Sequence, residues 1–173
     1  MEKILKHIAI ALFLLVPQLG MAQSKWDAAT CVDICNLLLN NRKEVKDTLV
    51  GKFHYEFVTD ITTEGTHVYL YVLNMTCNKN GDIIKLEKQG VSNYLMAGWD
   101  MHNFPTIATA FFSTTNAAKF RQQALEAGFK KSRVEMGNTY YKSTKIPGVG
   151  MMETTKRLGG HTLYSFSFYL NLF

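Results

Sequence analysis

The chain has 173 residues, with 19 Lys and Arg against 14 Asp and Glu (net charge +5) and 47% hydrophobic and 12% aromatic content. That is ample apolar material for a packed core, and no long polar tract points to disorder. The basic excess is spread as Arg42-Lys43, Lys130-Lys131 and Lys156-Arg157, rather than gathered on one arm among stacking aromatics, so nucleic acid is not an expected partner.

The first twenty-two residues carry the three zones of a cleavable signal peptide. Lys3 and Lys6 form a basic start, Ile8 to Val16 is a continuous apolar run, and Pro17 breaks it. Gly20-Met21-Ala22 then sets small residues at −3 and −1, so cleavage is expected after Ala22. The run is nine residues, against roughly 20 needed to span a bilayer as a helix. No cysteine stands at the cut to take a lipid. The expectation is therefore an exported chain, periplasmic or secreted, soluble after cleavage and without stable membrane insertion. The mature part, residues 23–173, suits a single domain. It keeps 17 basic and 13 acidic residues once Glu2, Lys3 and Lys6 are gone.

A long helical region is predicted from Lys25 to Val50, broken near Asn40-Asn41. Its inward stripe is Ala28, Cys31, Val32, Cys35, Leu38, Leu39, Val45 and Leu49. Strands follow at Lys52–Ile61 and Thr66–Met75, the second rich in β-branched and aromatic residues. Asn80-Gly81 predicts a type I′ hairpin turn, which needs positive φ at both residues. Ile83–Lys88 and Val91–Ala97 complete this group. Gly98 to Pro105 follows neither period yet is dense in large side chains. Its Trp99, Met101 and Phe104 are the types that occupy interface centres, or else they plug the gap between two parts of one core.

Thr115 to Ala127 predicts a helix, with N-cap oxygens at Ser113–Thr115 and Gly128 at its C-terminal stop. Strands are predicted at Phe129–Met136, Thr139–Lys145, Val149–Arg157 and His161–Leu172, with turns at Gly137-Asn138 and Gly159-Gly160. The fold class is thus α+β, with helices packed on one face of an antiparallel sheet. Two tandem helix-plus-four-strand halves, pseudo-repeats of about 25–98 and 113–172, would explain why Leu49-Val50-Gly51-Lys52-Phe53 resembles Leu125-Glu126-Ala127-Gly128-Phe129. The closing strand argues against an outer-membrane barrel. Phe173 shares its register with Asn171, Tyr169, Ser167 and Ser165, whereas the apolar residues Leu172, Leu170, Phe168, Phe166 and Tyr164 lie in the other.

Three cysteines in an oxidising compartment suggest one bridge between helix and strand. Cys35–Cys77 is favoured slightly over Cys31–Cys77, and unbridged buried thiols are the alternative. No histidine pair has metal-ligand spacing, and no phosphate loop or nucleophile elbow is present, so neither metal nor cofactor is expected. Asn74-Met75-Thr76 matches a glycosylation sequon but lies inside a strand pattern, and is read as incidental. The leading expectation is a non-catalytic binding module whose partner is another envelope or secreted protein. One alternative is an exported, hydrolase-like enzyme with a site near Asp100 and His102. The other is a structural or assembly component of the envelope.

Overall fold

The computed structural model describes residues 26–63, 65–88, 91–100 and 102–170. The expected signal peptide, residues 1–22, lies outside them, as does Met101. Helix α1, Ala28–Asn40, begins where Asp27, in extended backbone, accepts a 3.0 Å hydrogen bond from the Thr30 amide. That satisfies one of the donors a helix start leaves unpaired. The expected break falls at Asn41, whose φ of −152° and ψ of 74° leave the helical region. Helix α2, Arg42–Asp47, and a π-helical turn, Thr48–Lys52, then return the chain to the core through Val45 and Leu49. Of the predicted inward stripe only Leu39 escapes burial, and Ile34 joins it.

The strands are β1 (Glu56–Thr63), β2 (Thr66–Leu73), β3 (Met75–Cys77), β4 (Ile83–Leu86), β5 (Asn93–Trp99) and β6 (Pro105–Phe111). Helix α3, Thr114–Glu126, follows, then β7 (Phe129–Glu135), β8 (Asn138–Ser143), β9 (Val149–Leu158) and β10 (His161–Leu170). Ser113 caps α3 by accepting from the Asn116 amide, and Gly128 takes a φ of +99° just past its end. Eight strands form one antiparallel sheet in the order β1-β2-β5-β6-β10-β9-β8-β7, while β3 and β4 form a separate hairpin. Each half is therefore a helical segment followed by a four-strand meander, with the β3–β4 hairpin inserted into the first. The halves meet where their last strands, β6 and β10, pair antiparallel from Phe111↔Tyr164 to Thr106↔Tyr169.

Because side chains alternate across a sheet and paired residues share a face, the register sorts every position. Tyr71, Leu95, Ile107, Phe166, Phe168 and Met151 point toward α1 and α3 and are buried in the main core. Each large side chain buried there contributes about 1.5–3 kcal/mol. The opposite face has a smaller cluster, Val72, Met75, Ala110, Phe112 and Leu163, where the β3–β4 hairpin folds over one end of the sheet. A polar chain crosses the main core. Tyr55 donates to Asn93 Oδ1 (2.6 Å), the Asn93 amide donates to Thr109 Oγ1 (2.9 Å), and Trp26 Nε1 donates to the same hydroxyl (3.1 Å).

Several local expectations are corrected. Pro105–Phe111 is a central strand, although only Pro105 falls in the expected irregular stretch and the rest in no predicted element, so the first half runs to Phe111 instead of ending near residue 98. At Asn80-Gly81 only Gly81 has positive φ, and its amide bonds to Asn78 O (3.0 Å). The hairpin turn is thus not type I′. Both residues take positive φ instead at Met136-Gly137 (49° and 78°) and Gly159-Gly160 (56° and 79°). The helix-end likeness is also partial. Phe53 and Phe129 are both buried, but Gly51 sits in the π-helical turn without the positive φ of Gly128.

Two substitutions test this backbone by urea unfolding. A Cβ on Gly98 would lie 1.9 Å from His67 O, so Gly98→Ala is expected to destabilise by about 2–3 kcal/mol. Met136 is 94% exposed and loses no packing on replacement. Met136→Asn, better suited to the left-handed region, is expected to stabilise by about 0.5 kcal/mol. A neutral Gly98→Ala would contradict the close β2–β5 approach.

Candidate functional site

Helices cover one face of the eight-stranded sheet, and among the described residues only the β3–β4 hairpin covers part of the other. The uncovered part takes its relief from small residues. Thr106, Ala108, Ser165 and Ser167, on the two central strands, form a low floor. Met96 stands beside Ala108 on β5, and Met152 beside Ser167 on β9. Tyr169 lies across Gly150, where an added Cβ would sit 2.4 Å from the ring. Tyr140 pairs with Met152 and with Arg133, whose guanidinium stacks 4.5 Å from the Tyr140 ring centre. A hollow of about 260 Å³ opens at the hairpin end, lined by Tyr94, Met96, Ala108, Leu163, Ser165 and Lys156.

Charge on this face is one-sided. In β7 to β10 the open-face positions include Lys130, Arg133, Lys142 and Lys156 against a single carboxylate, Glu135, which pairs with Arg133 at 3.5 Å. Dispersed along the chain, these cations are gathered by the meander. The edges of the sheet are less receptive. Both β1 and β7 carry a register break, and β7 is lined by Lys130, Lys131 and Arg133, features that discourage strand addition.

The residues singled out in the sequence lie at the opposite end of β5 from Asn93. Trp99 is partly buried against the main core, stacked on His67 (5.0 Å, 26°) with the Arg42 guanidinium 4.1 Å from its ring centre. It closes that end of the helix–sheet interface. Asp100 Oδ1 accepts from the His102 and Phe104 amides, both at 2.9 Å, and so shapes the β5–β6 turn. His102 is exposed, and its contact with Asp100 runs through its backbone amide rather than its ring. The Phe104 and His102 ring centres are 6.3 Å apart. The open-face residues escaped the sequence reading, although the polar register of β10 (Ser165, Ser167, Tyr169) was a visible sign of them.

All three cysteines are free, and the expected Cys35–Cys77 bridge is absent. Cys35 is buried under α1 on the helix side, whereas Cys77 packs in the hairpin cluster on the other face. The sheet lies between them. Burial raises the Cys31 thiol well above its ordinary range and pushes Cys35 up to about 12. No group of three potential metal ligands occurs among the described residues. Nor is any described helix long and apolar enough to cross a membrane.

One half-buried ionic cluster ties α3 to the sheet. Arg121 pairs with Glu153, which also accepts from Tyr141 (2.8 Å). Burial alone would raise the Glu153 carboxyl, but the hydrogen bonds from Arg121 and Tyr141 hold it below its ordinary value. No family model, curated protein or solved structure matches the chain.

Two measurements follow. Thiol titration of the native protein is expected to reach Cys77 alone, rising to three thiols in denaturant; fewer than three would restore a bridge. For Glu153, the folded pKa lies below the unfolded one, so its stabilisation is full above the usual glutamate range, about 4.3, and is lost as pH falls through the folded value. Wild type should therefore lose stability more steeply than Glu153→Gln between about pH 5 and 3. Parallel pH profiles would sink this reading.

Proposed function

We propose that the mature chain is an exported, non-catalytic binding module that docks an envelope or secreted protein on the open face of its sheet. The observation that carries this reading is the face itself. Eight strands present a low floor of small residues flanked by Met96, Met152, Tyr140 and Tyr169, with Lys130, Arg133, Lys142 and Lys156 around it. Aromatic and methionine side chains with arginine are what interface centres enrich. The cationic border selects an acidic partner surface, favouring encounter and orientation more than raw affinity. Export is supported by the zoned first twenty-two residues. A hydrolase centred on Asp100 and His102 has less support, because the Asp100 carboxylate is occupied by turn amides.

The test places a photocrosslinking amino acid at Met96 or Met152, and a control at exposed Gln122 on α3, in the exporting cell. The expected result is one discrete adduct from the face positions, absent from the control. Ala108→Arg, which fills the floor without entering the core, should abolish it, and the adduct should weaken as salt rises. Identical adducts from face and control, or none from the face, would overturn the proposal.

A further inference from the structure

On the helix side of the sheet the packing leaves a cleft of about 280 Å³ between α3 and the residues flanking α1 and the π-helical turn. Two aromatic groups line it. Trp26 meets Phe53 and Tyr55 edge-on, each with ring centres 5.1 Å apart, and Phe111 meets Phe120 at 5.1 Å. The polar groups at its base are already matched, through the Tyr55–Asn93–Thr109–Trp26 chain. No buried side-chain polar atom among the described residues lacks a partner. The walls are thus fixed before any ligand arrives, which lowers the ordering cost of binding.

The rim has a different character. Lys119 and Gln123 stand one turn apart on α3, both lining the cleft. Lys119 is exposed, no ion pair holds it among the described residues, and no Asp or Glu is among the lining residues. An aromatic slot with one unopposed cation at its mouth favours a flat apolar body carrying one negative charge. Cavities for small ligands run from about 300 Å³ upward, so this one suits a one- or two-ring molecule.

We propose that the cleft binds a small aromatic carboxylate, its ring between the two aromatic groups and its carboxylate on Lys119, with the Gln123 amide as a second donor. This site lies across the sheet from the docking face and does not depend on it.

The chain has two tryptophans, so a ¹⁵N correlation spectrum of the mature protein carries two indole N–H signals. Trp26 lines the cleft, whereas Trp99 sits at the far end of β5 beneath Arg42. Titration with 2-naphthoate or 3-phenylpropionate is expected to shift the Trp26 signal saturably and leave that of Trp99 in place. Lys119→Gln, at an exposed position, should weaken binding about tenfold, as should replacing the carboxylate with its amide. Lys142→Gln on the opposite face should change nothing. If neither probe moves the Trp26 signal at millimolar concentration, the site is overturned. Equal affinity for acid and amide, or no effect of Lys119→Gln, overturns the carboxylate assignment.

Discussion

The pairing of β6 with β10 is the constraint on which the rest of the molecule depends. These strands close the two halves, and without their ladder the protein would be two four-strand meanders, each with an exposed inner edge. Their side chains are divided by size. Ile107, Phe111, Phe166 and Phe168 point toward the helices, while Ala108, Ala110, Ser165 and Ser167 point the other way. The same alternation that fills one layer with rings therefore keeps the opposite surface low. Bulky residues in the second register would have required a further layer to cover them, and the open face would not exist.

Much of this was legible because the signals were local. Helix α3, the strands of the second half and the Gly159-Gly160 turn follow from periodicity, capping and glycine placement within a few residues of each other. What was lost needed the other half of the chain. Strand β6 begins with a proline and is built mostly from Thr and Ala (Thr106, Ala108, Thr109 and Ala110), a weak strand pattern that becomes central only because β5 and β10 flank it. Trp99 and Pro105 read as loop for the same reason, although they pair with one another as the ends of two strands. The cations at 130, 133, 142 and 156 look scattered in sequence and converge only through the meander.

Asn93 and Thr109 lie at the centre of the helix-side network, hydrogen-bonded to one another. Both are buried polar residues on adjacent strands, Asn93 between Ser92 and Tyr94 and Thr109 between Ala108 and Ala110, and nothing in their local pattern distinguishes them from surface positions. Their partners, Trp26 and Tyr55, come from the two ends of the first helical segment. A buried amide of this kind is tolerated only when its hydrogen bonds are met. It therefore ties the entry and exit of that segment to one register of the sheet, and Trp26, Tyr55 and Asn93 also line the cleft beside α3.

The two helical thiols lie on the face of α1 packed into the main core. Cys31 and Cys35 are at most 1% exposed, and burial keeps both thiols protonated at neutral pH, out of the reactive thiolate form. No reagent reaches them unless α1 lifts from the sheet, a motion that dismantles the core joining both halves. Their modification rate is thus tied to the free energy of that opening rather than to the fraying of any loop. In an oxidising compartment the native state protects its own cysteines, and the window of vulnerability is the interval before α1 docks. The speed of folding, more than the chemistry of the thiols, then governs whether they stay reduced.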